Sequence, residues 1–273
     1  MRSVLTSMTA AAAVAAVAAT MALGPAAQAG TVPQAETVLW GLASFAPFTT
    51  QSLYRVDPAT GAATLVGNTG LIQVSGMAFD APNNRMYAIT AAAELHTVDL
   101  RTGQTALVGD ANRILGEGDL AFVGATLYTI DGLSLSTVNS ATGAITPVGP
   151  LGAAANDVSG LAWDGSRLLG YSKNGLAQDS IVSINPATGL ATLVGLAGIN
   201  TTPGVGGMSI DPVSGAAFLT DGSSLYSLNT FTGSATMIGA HGAAGFSALA
   251  IPTPGTAALL GSAGLLAGLR RRR

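Results

Sequence analysis

The sequence predicts an all-β fold, a five-bladed β-propeller of four-stranded antiparallel blades, and three observations predict it. First, the motif [Asp/Asn]-x-x-Thr-Gly recurs five times, at residues 57–61, 99–103, 139–143, 185–189 and 229–233. Second, its closing glycines lie 42, 40, 46 and 44 residues apart, and each period holds four β-prone runs, as a propeller blade requires. Third, the first period lacks its opening run, and a run in phase with the missing one stands at the other end, at residues 247–251.

The turn motif has a chemical reason. An Asp or Asn at its first position can accept a hydrogen bond from the backbone two residues on. Pro58 and Pro186 suit the second position of a type I turn. The closing glycine takes a positive φ, as in a hairpin loop with a bulge. Each motif therefore joins two antiparallel strands. The strand before it reads Leu53-Tyr54-Arg55-Val56 in the first unit and Leu225-Tyr226-Ser227-Leu228 in the last. The strand after it is a short run such as Thr64-Leu65-Val66, closed by a second glycine six residues after the first: Gly67, Gly109, Gly149, Gly195 and Gly239.

Two more runs precede these in each unit. One is short and rich in small residues: Gly76-Met77-Ala78-Phe79, Leu120-Ala121-Phe122, Gly160-Leu161-Ala162-Trp163 and Gly207-Met208-Ser209-Ile210. Small side chains suit the crowded position beside the central axis. The other run follows a turn, at residues 86–90, 127–130, 168–172 and 217–220. A C-terminal strand that completes the N-terminal blade closes the ring and removes exposed sheet edges. Closure also supplies stability to a chain that has no Cys and so no disulfides. The blades resemble the broad secreted propeller families built on Leu-Tyr-x-Val-Asp-x-x-Thr-Gly-x-x-Thr-x-Val-Gly. That resemblance implies fold and no particular activity.

The two ends read as addresses. Residues 1–29 have the parts of a signal peptide: Arg2, an apolar run from Met8 to Leu23, a Gly24-Pro25 break and the small-x-small site Ala27-Gln28-Ala29. Residues 30–251 are the propeller. Residues 252–273 read as a tail: Pro252-Thr253-Pro254-Gly255, an apolar stretch from Thr256 to Leu269, then Arg270, Arg271, Arg272 and Arg273. Such a stretch is short for a transmembrane helix, and terminal arginines hold it to the cytoplasmic side. This layout resembles the PEP-CTERM sorting signal of Gram-negative bacteria that secrete an extracellular matrix. Pro252, Pro254, Gly255, the apolar stretch and the four arginines match it, and Thr253 stands where that motif has Glu. The resemblance implies export, transient membrane anchoring and handling by an exosortase.

Charge narrows the partners. Between residues 30 and 250 there are six basic residues and fourteen acids, a net of −8. An acidic body with no basic stripe argues against nucleic acid and against anionic lipid, because the phosphates of both need cations. The loops from strand 4 to strand 1 and from strand 2 to strand 3 are the expected binding face, by analogy with other propellers. The residues singled out there are Phe45, Phe48, Gln73, Arg113, Glu117 and Asp157, whose aromatic and polar mix suits a glycan. Ordinary solvated loops have a similar composition. Glu117, Asp119 and Asp157 could approach the axis as glycosidase-type carboxylates. Surface or turn-capping acids read the same way in sequence. Asp80, Asp164 and Asp211 recur after strand 1 and read as turn residues. His96 and His241 are the only histidines, and with no Cys they suggest no metal site. No phosphate-binding loop, dinucleotide fingerprint or Gly-x-Ser-x-Gly elbow is present, so no cofactor is implied.

These readings describe an exported cell-surface or extracellular-matrix protein. Its propeller is expected to be a non-enzymatic platform for an exopolysaccharide or a surface protein, delivered by an exosortase-type tail. The alternative is a secreted glycan-active hydrolase or lyase with carboxylates in the central funnel.

Overall fold

The turn motifs fold as their chemistry dictates. In the first, Asp57 Oδ1 accepts from the Ala59 N–H at 2.8 Å and Asp57 Oδ2 accepts from the Thr60 hydroxyl at 2.9 Å. The Gly61 N–H donates to the Asp57 carbonyl at 2.8 Å, and Gly61 has φ 79°. The other four motifs repeat the backbone bond and the positive φ. The computed structural model describes residues 37–43, 49–116, 118–131, 133–173, 178–201, 206–243 and 245–252. The predicted signal peptide, Phe45, Phe48, Glu117, Pro254, Gly255, the apolar stretch and Arg270 to Arg273 lie outside them. Among the described residues no helix is long and apolar enough to cross a membrane.

The strands form five antiparallel four-stranded sheets. The first sheet contains β1 (Leu39–Ala43), β2 (Thr50–Val56) and β3 (Ala63–Ile72). The second is β4 (Val74–Asp80), β5 (Arg85–Thr90), β6 (Glu94–Val98) and β7 (Thr105–Asp110). The third is β8 (Leu120–Val123), β9 (Thr126–Ile130), β10 (Ser134–Val138) and β11 (Ile145–Pro150). The fourth is β12 (Val158–Trp163), β13 (Leu168–Ser172), β14 (Ser180–Ile184) and β15 (Ala191–Leu196). The fifth is β16 (Gly207–Ile210), β17 (Ala217–Thr220), β18 (Ser224–Leu228) and β19 (Ala235–Ala240). The last strand, β20 (Phe246–Ala250), belongs to the first sheet and pairs with β1, Trp40 opposite Ala250 and Gly41 opposite Leu249. This is the five-bladed propeller the repeats predict.

Five apolar clusters fill the spaces between neighbouring blades, one per seam. The glycine rows explain how blades approach so closely. A Cβ on Gly67 would lie 2.1 Å from the Thr102 carbonyl of the next blade's turn, and one on Gly109 would lie 1.9 Å from Thr142. The seam between the fifth and first blades follows the same rule, with a Cβ on Gly239 2.1 Å from the Thr60 carbonyl. The second glycine of each repeat is thus a packing requirement, imposed by the turn of the following blade.

The outer strand of every blade carries a bulge at the same point, opposite Leu53/Tyr54, Leu95/His96, Leu135/Ser136, Ile181/Val182 and Leu225/Tyr226. A bulge twists an edge strand and discourages edge-to-edge pairing. That matters here because these edges carry a single charge, Asp110, and expose Leu65, Leu107, Leu193 and Met237.

Candidate functional site

The innermost strands converge on the axis. Aligning β4, β8, β12, β16 and β20 places Gly76, Asp119, Gly160, Gly207 and Ala248 in one row. The row is crowded: a Cβ on Gly76 would lie 2.5 Å from Asp119 Cα, and one on Gly207 would lie 2.8 Å from Ala248 Cα. Four members of the row have almost no side chain, and the fifth is a carboxylate.

Asp119 is fully buried. Its Oδ1 accepts from the N–H of Leu120 at 2.8 Å and of Met77 at 3.2 Å. Its Oδ2 accepts from the N–H of Leu161 at 2.9 Å and of Met208 at 3.4 Å. One side chain therefore ties together the innermost strands of four blades. The Thr129 hydroxyl donates to the Asp119 carbonyl at 3.1 Å and steadies the backbone. Burial pushes the Asp119 carboxyl well above its usual range, against the opposite pull of the four N–H groups.

Beyond this hub the axis widens into a cavity of about 200 Å³ lined mostly by apolar side chains. Its deep end is formed by Met77, Leu120, Leu161, Met208 and Leu249, four of which donate their N–H to Asp119. Further out stand Phe79, Phe122, Trp163, Ile210 and Ile251, one from each innermost strand or its end. The wall ends at turn residues Pro82, Gly124 and Pro212. The funnel thus meets the face carrying the turns from strand 1 to strand 2, opposite the loops singled out from sequence. The acids of these turns behave as the sequence reading expected. Asp80 accepts from the Asn83 N–H at 3.3 Å, Asp164 from Ser166 at 2.8 Å and Asp211 from Val213 at 2.9 Å.

On the opposite face, Gln73 and Asp157 sit three residues before the axial row. Their φ values are 52° and 33°, at the position that Gly116 and Gly245 occupy in two other blades. Non-glycine residues there carry backbone strain, which concentrates at functional sites. Gln73 is exposed, and the Asp157 carbonyl accepts from the Lys173 N–H at 3.2 Å. Arg113 pairs with Asp131 at 3.0 Å. No hydrogen bond or ion pair joins Gln73, Arg113 and Asp157 to one another. Of the three acids considered, Glu117 lies outside the described residues and Asp119 is held by four backbone N–H groups.

Two buried polar groups were not singled out as sites by sequence. In the fourth blade, Asp179 Oδ2 accepts from the Tyr171 hydroxyl at 2.6 Å and from the Thr201 hydroxyl at 2.7 Å. Burial and that bond hold the Tyr171 phenol far above its usual range. Lys173, the only lysine in the chain, lies beside them and is 2% exposed. At the seam between the fifth and first blades, His241 is buried. Its Nδ1 lies 2.9 Å from the Gly61 carbonyl and its Nε2 2.9 Å from the Thr220 hydroxyl. A carbonyl only accepts, so Nδ1 carries the proton and Nε2 accepts from Thr220. Burial lowers the His241 pKa. His96 is packed in its strand, as its alignment with Tyr54 and Tyr226 suggested, and neither ring nitrogen has a hydrogen-bond partner. Among the described residues no group of acids and histidines could hold a metal ion.

No protein-family model matches the chain, and no curated protein matches it. Solved structures do match. One chain in the crystal structure of a nidogen/laminin complex is similar with a TM-score of 0.53 and 12% identity, over 80% of this chain and 99% of that one. A structural genomics protein of unknown function from Bacteroides thetaiotaomicron VPI-5482 matches with a TM-score of 0.44 and 13% identity, over 74% of this chain and 64% of that one. The first likeness shows the propeller fold and nothing of function.

Proposed function

We propose that this chain is an exported surface or matrix protein whose propeller is a binding platform for a glycan or a protein. The single observation that carries the reading is the state of the axis. Asp119 gives both oxygens to four backbone N–H groups, so the one described acid at the centre serves the scaffold. A rigid ring with its centre committed to structure offers its loops and faces for recognition. A similar propeller in a nidogen/laminin complex agrees with such a role. In this reading β20 is the clasp of the ring, and the tail that follows it anchors the protein for an exosortase.

The test is a glycan array and a surface-protein capture with the secreted chain, alongside an assay for hydrolysis or lysis of matrix polysaccharides. Saturable binding to one sugar class or one surface protein, weakened by Gln73→Ala or Asp157→Ala, is the expected result. Turnover of a polysaccharide by the purified chain overturns the reading.

A further inference from the structure

We propose that the face around the funnel mouth docks on a lipid bilayer, with the ends of acyl chains entering the funnel. The proposal rests on the reading of the tail as a membrane anchor, and four observations lead from there.

The first is where the chain leaves the propeller. Ile251 lines the funnel, and only Pro252, Thr253, Pro254 and Gly255 separate it from the apolar stretch that begins at Thr256. Four extended residues span at most about 14 Å. An anchored tail therefore keeps Ile251, at this face, within about that distance of the start of the apolar stretch.

The second is exposed apolar surface on the same face. Phe231 is 84% exposed and Val213 is 75% exposed. Both stand in turns of the fifth blade. Arg167 fixes the first of these turns against the fourth blade. It donates to the Thr230 carbonyl at 3.0 Å and lies 5.6 Å from the centre of the Phe231 ring. A large apolar side chain held out into solvent is suited to insertion at the headgroup boundary.

The third is the muting of charge. Asp80 and Asp211 are buried in their own turns, and Asp164 is tied to Arg167 at 2.8 Å. In the outer turns the first two blades have Asp57 and Asp99, but the remaining three have Asn139, Asn185 and Asn229. The exposed charges on this side, Asp57, Arg85, Asp99 and Arg101, all belong to the first two blades, so the last three blades are the ones that need little hydration stripped to meet lipid.

The fourth is the funnel itself. An apolar cavity of about 150 Å³ takes up a benzene-sized guest. The funnel, at about 200 Å³ with Phe79, Phe122 and Trp163 in its wall, accepts a short apolar end. Met77, Leu120, Leu161 and Met208, tied to Asp119 through their N–H groups, form its deep end, so the guest enters from the mouth.

The experiment uses the full chain with Trp40→Phe, which leaves Trp163 as the only tryptophan. It is reconstituted with phosphatidylcholine vesicles, plain or brominated in the acyl chains. The expected result is flotation with the vesicles and Trp163 emission roughly halved by the brominated lipid, as for a ring at acyl depth. Val213→Ser with Phe231→Ser relieves the quenching while the chain still floats. Flotation with no quenching overturns the docking and leaves the anchor reading standing. Failure to float overturns the anchor reading, and the docking with it. Hydrogen exchange on the unaltered chain gives a second readout that does not depend on Trp40→Phe folding. Vesicles are expected to slow exchange at Val213 and Phe231, and unchanged exchange there overturns the docking.

Discussion

Replacing Asp119 by glycine is the sharpest test of the axial hub. Gly76, Gly160 and Gly207 show that glycine is accepted at this row. The substitution removes the acceptors of four buried N–H groups, at 2.8, 3.2, 2.9 and 3.4 Å. Each buried donor left unsatisfied costs about 1–3 kcal/mol. Against that stand the desolvation cost of a buried carboxylate, several kcal/mol, which is recovered, and water entering the vacated polar space. We expect a net loss of about 2–4 kcal/mol, which in a domain of this size lowers Tm by roughly 5–15 °C. Calorimetry or circular dichroism of the secreted chain measures it. Asp119→Asn separates acceptance from volume. It keeps the shape but turns an NH₂ group toward two of the N–H donors, so it loses nearly as much as glycine if acceptance is what matters. A glycine variant as stable as the parent would refute the hub.

Three further outcomes follow from the same geometry. Burial lowers the pKa of both His241 and His96, so the folded state keeps them neutral while the unfolded chain protonates them below about pH 6.5. Stability is therefore complete above that pH and declines as the pH falls below it, and His241→Leu, the residue type at Leu151 of another seam, removes one of the two protons from the slope of Tm against pH. Gly239→Ala drives a methyl to 2.1 Å from the Thr60 carbonyl at the seam of the fifth and first blades. It is expected to cost about 1–3 kcal/mol, read as a lower denaturation midpoint. Lys173 is 2% exposed, so an amine-reactive ester is expected to spare it in the folded chain and label it in denaturant, as peptide mapping will show. Labelling of Lys173 in the native chain at the rate of a free lysine would contradict the burial.

The sequence made the blades legible because their information is local. A turn motif, two glycines and alternating runs recur within each period, and the C-terminal strand falls in phase with the rest. The cause of the second glycine was not legible, since it lies in the next blade's turn, more than thirty residues away in sequence, as Gly67 and Thr102 show. The site was harder still. The alignment that defined the blades already held Phe79, Phe122, Trp163 and Ile210 in one column, and that column lines the funnel. Analogy with other propellers points instead to the opposite loops. Gln73 and Asp157 stand out in the sequence for polarity alone, and their strained backbone, the property that sets them apart, cannot be read from residue type.

Asp119 shows why an acid near an axis is ambiguous on paper. Its neighbours in the row are glycine and alanine, so a carboxylate there looks either catalytic or misplaced. The backbone decides between them. Innermost strands have partners on one side only, and their free edges present N–H groups to a narrow, dry axis where each needs an acceptor. A carboxylate has about four acceptor positions on two oxygens, and here four strands supply four donors. A hydroxyl or a single amide oxygen could serve only two of them, and five small residues would leave all four to water. One acid in a row of four small residues is thus the arrangement that matches acceptors to donors while still allowing the blades to meet. The same four N–H groups pull the Asp119 carboxyl toward its ionised form, against the burial that raises its pKa.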